Sequence, residues 1–215
     1  MKATWTTALL VVVAAAAAAA GGFETGCRIP TAYFVTTGFG QSDEGIPPDP
    51  YETFSYDLAL LDAGIADFNV VYYTSVLPPE SFEVPLTDEL AGGFHHGAAL
   101  ETILAKAGGV KGDTVAAGIG RVWAVDAAGK KVGGYAAEYE YVYKGKKVDA
   151  ATARRAAETQ LTASLEHELA IRGLTQDGEM TFAVTTTYVE KNYGMALAAL
   201  GFIGYIYPEP AGGGK

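Results

Sequence analysis

Asn69-Val70-Val71-Tyr72-Tyr73-Thr74-Ser75-Val76-Leu77-Pro78-Pro79 is the stretch on which the reading of this chain turns. Its β-branched and aromatic residues favour an extended strand, and the proline pair denies that strand any continuation inside a sheet, because proline has no amide hydrogen to give. The Thr74–Ser75 bond therefore falls at a forced change of direction. Two readings meet there. In the plain one a strand ends in a turn and the two hydroxyl residues are incidental. In the chemical one the Ser75 hydroxyl adds to the Thr74 carbonyl, turns the amide into an ester and loses that ester by elimination, so that the backbone cuts itself.

The flanking segments separate these readings. Upstream lies Phe54-Ser55-Tyr56-Asp57-Leu58-Ala59-Leu60-Leu61-Asp62-Ala63-Gly64-Ile65-Ala66-Asp67-Phe68-Asn69, and downstream Tyr135-Ala136-Ala137-Glu138-Tyr139-Glu140. In this order and spacing, from Ile29 to Tyr207, the chain resembles the pyruvoyl-dependent arginine decarboxylases. The resemblance implies an α+β fold built as a four-layer α/β/β/α sandwich. It also implies a homotrimer of protomers, each cut into a β chain ending at Thr74 and an α chain beginning at Ser75, with active sites where two protomers meet. The implied reaction converts L-arginine to agmatine and CO₂. Its cofactor is a covalent pyruvoyl group derived from Ser75, which forms a Schiff base with the substrate and accepts the electrons left on Cα. Two other readings stand beside it: a pyruvoyl decarboxylase of another amino acid, and a non-catalytic, exported α+β binding domain.

Residue roles follow from the same resemblance. Glu138 matches the glutamate that returns a proton to Cα, which requires a carboxyl kept protonated by burial. By strand periodicity alone Glu138 and Glu140 share one face, so the choice between them rests on the resemblance. Asp57 matches the acid that holds the substrate guanidinium, whose planar fork suits a carboxylate. Asn69 matches an asparagine beside the scissile bond, where an amide can stabilise developing charge. Thr74 is left as a carboxylate after the cut, and Ala66 and Val76 complete the substrate contacts. The chain departs from the family at Ala66, where glycine is common, and at Phe94-His95-His96-Gly97 with Glu101. Adjacent histidines on a strand point to opposite faces, so no shared metal is expected.

Composition bounds these readings. At 215 residues the chain is long enough to bury a core, and 27 glycines with only 19% charged residues favour a sheet-rich body. A formal charge of −10 argues against nucleic acid and suits a cationic substrate. The lone Cys27 excludes an internal disulfide. The amino terminus pulls the other way from a cytoplasmic enzyme, the location the resemblance implies. After Lys2, the run from Ala8 to Ala20 has the form of a secretory signal, yet is too short and alanine-rich for a stable membrane span. Residues 1–28 are accordingly read as a signal-like or disordered extension, 29–207 as the decarboxylase domain and 208–215 as a disordered tail.

Along the domain, Pro30 to Thr37 reads as a strand and Gly38 to Pro50 as a surface loop. Tyr51 to Ala63 reads as a helix with Phe54, Leu58 and Leu61 on its apolar face and Gly64 as its stop. Strands are expected at Phe68 to Thr74, Gly93 to Lys106, Thr114 to Val125, Val132 to Tyr143 and Met180 to Val189, with turns at Gly108-Gly109 and Ala128-Gly129. Met195 to Ile206 fits a strand or a buried helix. Asp149 to Arg172 reads as a helix capped by Asp149, striped by Leu161, Leu165 and Leu169, and ended by Gly173.

Overall fold

The computed structural model describes residues 28–44 and 50–207, so the signal-like run, residues 45–49 of the expected loop before Pro50 and the tail after Tyr207 lie outside the described residues. Pro30–Tyr205 forms one unit. Its strands make two sheets. The five-stranded sheet has the order β3 (Asn69–Tyr72), β6 (Ala99–Val110), β10 (Tyr193–Phe202), β2 (Ala32–Ser42) and β5 (Phe82–Glu83). The four-stranded sheet has the order β4 (Val76–Leu77), β8 (Lys131–Tyr143), β7 (Thr114–Val125) and β9 (Thr175–Tyr188). A short ribbon pairs β1 (Ile29–Pro30) with β11 (Tyr205–Ile206).

The sheets face each other across Ile103, Ala105, Val115, Ala117, Ile119, Ala198 and Leu200, all fully buried. Their outer faces are covered by helices. Ala59 and Leu60 of α1 (Pro50–Asp62), with Ala63 just past its end, pack with Phe34, Leu104 and Leu197 on the five-stranded sheet. Ala153, Ala157, Leu161, Leu165 and Leu169 of α3 (Ala150–Ala170) pack on Ala116, Val122, Ala137 and Tyr139 of the other. A mixed α+β body with helix, sheet, sheet and helix in succession results. Because β10 is buried on both faces, its apolar residues run without alternation, which is why periodicity alone left strand and helix open there.

Several boundaries moved, each for a packing reason. Gly38 and Gly40 belong to β2 and not to a loop. A Cβ on Gly40 would lie 2.2 Å from the Ser55 carbonyl oxygen, and one on Gly38 would lie 2.2 Å from that of Ala59. These glycines let α1 rest directly on the strand. Gly108 and Gly109 likewise sit inside β6, paired with Met195 and Gly194 on β10, and the turn comes at Gly112, which takes φ of 96°. The expected strand from Gly93 starts only at Ala99; the residues before it follow the short helix α2 (Asp88–Gly92), capped by Thr87 and not foreseen. His95 and His96 thus lie on a turn, not a strand. The stripe Phe54, Leu58 and Leu61 faces outward, with Leu61 66% exposed, because the small residues Ser55, Ala59 and Ala63 are what fit against the glycines. The long helix behaves as read: the Asp149 carboxylate accepts from the Thr152 amide at 2.9 Å, and Gly173 turns out of the helix with φ of 62°.

Gly40→Ala is expected to destabilise the protein by about 1–3 kcal/mol or more, since the new methyl meets helix backbone that cannot swing aside. Urea denaturation of the variant against the parent checks this, and an unchanged midpoint would mean that α1 does not rest on β2.

Candidate active site

The expected strand from Phe68 to Thr74 is divided between the two sheets. β3 runs beside β6, and the Tyr73 amide still donates to the Thr102 carbonyl of that strand at 2.9 Å. Two residues later the Ser75 carbonyl accepts from the Ala136 amide of β8, also at 2.9 Å, and β4 continues along β8 with Val76 opposite Tyr135. The chain leaves one sheet and joins the other across Thr74, so the Thr74–Ser75 bond lies in the crossing itself. Leu77 then plugs the layer between the sheets. Gly133, at φ of 123°, makes room for this path: a Cβ there would come within 2.5 Å of the Leu77 carbonyl oxygen. The proline pair turns the chain out again, with the Ser81 hydroxyl donating to the Pro78 carbonyl at 2.6 Å.

Strand alternation on β8 sends Tyr135, Ala137 and Tyr139 toward α3, and Ala136, Glu138 and Glu140 to the opposite face. Glu138 thereby reaches the crossing: the Ser75 hydroxyl oxygen lies 3.2 Å from each of its two carboxylate oxygens. Glu140 is used otherwise, accepting from the Lys106 backbone amide at 2.8 Å. Although Glu138 keeps contact with solvent, the protein crowded around its carboxyl strips enough water to raise its pKa. The hydrogen bond from Ser75 opposes that shift, and the carboxylates of Glu140 and Glu168 add to it. Glu168 and its ion-pair partner Arg172, whose guanidinium lies 4.7 Å from the centre of the Tyr135 ring, were not foreseen; an acid and a base four apart near a helix end carry no signal of a site.

The other expected residues lie elsewhere on the same chain. Asp57 is exposed on α1, where it lines a cavity of about 440 Å³ with Asp43, Glu44, Phe54 and Lys191. Ala66 is exposed beyond that helix, and the Asn69 amide donates to the Gly97 carbonyl at 2.8 Å at the far end of β3. His96 pairs with Asp67 at 3.1 Å, and the His95 ring nitrogen lies 2.8 Å from the His96 carbonyl oxygen. Among the described residues no hydrogen bond or ion pair joins Asp57 or Asn69 to Ser75 or Glu138. One chain therefore assembles Thr74, Ser75, Val76 and Glu138, and carries Asp57, Ala66 and Asn69 apart from them.

The family model described as pyruvoyl-dependent arginine decarboxylase matches residues 32–206. The pyruvoyl-dependent arginine decarboxylase AaxB of Chlamydia pneumoniae is 42% identical over 190 residues, covering 86% of this chain and 97% of that protein. Its counterpart from Chlamydia trachomatis serovar L2 is 41% identical over the same length and coverage. The pyruvoyl-dependent arginine decarboxylase of Methanopyrus kandleri is 33% identical over 81 residues, 38% of this chain and 46% of that protein. The chain belongs to the pyruvoyl-dependent arginine decarboxylase family. The residues present fit a pyruvoyl group: a serine follows a residue able to leave as a carboxylate, and its hydroxyl already meets an acid.

The raised pKa of Glu138 has a consequence for stability. A carboxyl that titrates higher in the fold than in the unfolded chain favours the fold while protonated, below its ordinary value near 4, and loses that contribution as pH rises through the folded value. Glu138→Gln is therefore expected to gain stability relative to the parent as pH rises from the acid side toward neutrality. Paired urea titrations at the two ends of that range check it, and a pH-independent difference would mean that the carboxyl is not perturbed.

Proposed function

We propose that this protein cuts itself between Thr74 and Ser75 and then decarboxylates L-arginine to agmatine. The observation that carries this reading is the Ser75 hydroxyl held against both oxygens of Glu138 at the crossing between sheets. Glu138 takes the hydroxyl proton as Ser75 Oγ bonds to the Thr74 carbonyl carbon. The Thr74–Ser75 C–N bond then breaks, with the Ser75 nitrogen gaining a proton. The resulting ester loses the Ser75 Cα proton and breaks at the Cβ–Oγ bond, which releases Thr74 as a carboxylate. Water then replaces the nitrogen of the new end, which departs as ammonia.

The pyruvoyl group so formed supplies a ketone able to join the substrate amine and take up the electron pair that CO₂ leaves behind. Glu138 serves again by carrying a proton to the substrate Cα. A raised pKa suits both duties, because a carboxyl poised near working pH can accept a proton in one step and hold one for another. Arginine is favoured over other amino acids by Asp57, which stands with Asp43 and Glu44 around an acidic cavity matched to a guanidinium.

The two halves of the site are brought together between protomers. Beside the acidic groups at Ser75 the apolar side chains of Tyr72 and Val76 are each 56% exposed, and around Asp57 the outward stripe Phe54, Leu58 and Leu61 is exposed too. A trimer in which α1 of one protomer covers the crossing of the next would bury both patches and bring Asp57 toward the substrate. Among the described residues no helix is long and apolar enough to cross a membrane. A cytoplasmic location belongs to the same proposal, with export the alternative if the signal-like run from Ala8 to Ala20 acts as one.

Intact-mass analysis of freshly folded protein is expected to show two fragments divided after Thr74, the larger blocked to amine sequencing, and Ser75→Ala is expected to remain whole and inactive. An uncut parent chain would end this reading. Glu138→Gln should slow cleavage and lower turnover by roughly 10²–10⁴-fold.

Asp57→Asn should leave cleavage intact and weaken arginine binding by about 2–5 kcal/mol. Steady-state kinetics with arginine, lysine and ornithine would show this as a rise in KM confined to arginine. An unchanged KM would put the guanidinium pocket elsewhere.

A further inference from the structure

Arg121 is the one arginine carried by the strands, and nothing in the mechanism above uses it. It stands on β7 opposite Ala136, the residue whose amide holds the Ser75 carbonyl. Its side chain is buried at 9% exposure and points from the four-stranded sheet toward the other, where Nη1 donates to Glu83 Oε2 at 2.6 Å. Glu83 belongs to β5, the strand on which the chain rejoins the five-stranded sheet after its excursion through Ser75 and the proline pair. The guanidinium also lies 5.8 Å from the centre of the Tyr33 ring. Tyr33 meets Phe202 edge-on at 5.9 Å, and Phe202 meets Tyr73 at 5.8 Å. Arg121 is thus linked to the downstream leg of the excursion through Glu83, and through an aromatic chain to Tyr73, two residues before the reactive serine.

Such a pair is a poor device for stability. A buried arginine loses its hydration, and here Nε has no hydrogen-bond partner at all. Apolar residues of similar volume in place of buried ion pairs are often neutral or stabilising. A charge pair is directional where apolar packing is not, since a carboxylate fixes the angle and depth of the strand that carries it.

We propose that Arg121 is a positioning residue for self-cleavage, gripping Glu83 across the gap between the sheets so that the excursion bearing Thr74 and Ser75 is held from both sides. The inference rests on the self-cleavage reading above. Its effect is on attack geometry, where displacement by an ångström costs on the order of a hundredfold in rate.

The test follows cleavage of newly translated full-length chain by denaturing electrophoresis, for the parent, Glu83→Gln, Arg121→Lys, Arg121→Met and the Glu83→Gln/Arg121→Met double variant. Melting temperatures are measured in the uncleavable Ser75→Ala background. Expected are a slowing of about tenfold or more for Glu83→Gln and Arg121→Met, a double variant no slower than the worse single one, and partial retention by Arg121→Lys; melting temperatures of Arg121→Met and the double variant stay at or above that of the reference, whereas Glu83→Gln, which leaves the buried guanidinium unpaired, melts lower. Parent-like cleavage of Glu83→Gln, whose half-exposed side chain makes misfolding no excuse, would overturn the proposal. So would slowing of Arg121→Met and the double variant that merely follows a fall in their melting temperatures. A parent chain that never cuts would instead remove the self-cleavage reading, and the positioning role with it.

Discussion

The rest of the structure depends on one constraint: the chain must pass from one sheet to the other within a single residue. Tyr73 is hydrogen-bonded to β6 and Ser75 to β8, so Thr74 spans the step alone. The four-stranded sheet is antiparallel throughout, the five-stranded one is antiparallel at its centre and parallel at its two edges, and their packing against each other fixes the separation the step has to cover. The rigid partners on either side leave the connecting peptide little freedom, and the carboxyl that meets Ser75 arrives on one of those same partners. Placement of the Ser75 hydroxyl against Glu138 is thus a property of the packed sheets more than of a loop.

The lower side of the crossing is maintained by absence of side chain as much as by contact. Gly133 leaves room for Leu77 and the proline pair, as Gly38 and Gly40 leave room for α1 on the opposite face. Both devices bring backbone against backbone: Gly133 lies on β8, which carries Glu138, and Gly38 and Gly40 seat α1, which carries Asp57. Charge is distributed accordingly. Acidic groups collect around Ser75 and around Asp57, while the nearby cations Arg172 and Arg121 are each committed to a glutamate of their own.

Much of this was legible in the chain before any coordinates. Thr114–Val125 was bounded to the residue, and the helix from Asp149 announced itself through its cap, its leucine stripe and Gly173, since local signals agreed there with burial. The failures share a cause. By sequence Gly38 and Gly40 read as part of a surface loop and Gly108-Gly109 as a turn, because a glycine that serves close packing cannot be told from one that serves a loop or turn until the neighbour is known. The same blindness turned α1 inside out: Phe54, Leu58 and Leu61 form the better apolar stripe, but a helix pressed onto glycines buries its smallest residues. In the site, the Ser75–Glu138 contact follows from register between β4 and β8, which no local pattern states; the resemblance pointed to it. Nothing local in the sequence marks Arg172, Glu168 or Arg121, since an acid and a base four apart on a helix and one basic residue in an apolar strand are both commonplace.

The order of strands in the larger sheet bears on what a cut chain would be. β2 and β3 precede the Thr74–Ser75 bond, whereas β5, β6 and β10 follow it. β2 is threaded between β10 and β5, and β3 is bonded along β6, so the shorter piece owns no two adjacent strands of that sheet. Severing one peptide would then free neither piece, because each ladder bond of the shorter is made to the longer. It would also be a one-way passage: the interleaving is written while the polymer is continuous, and two separated fragments would have to find it again as a bimolecular search.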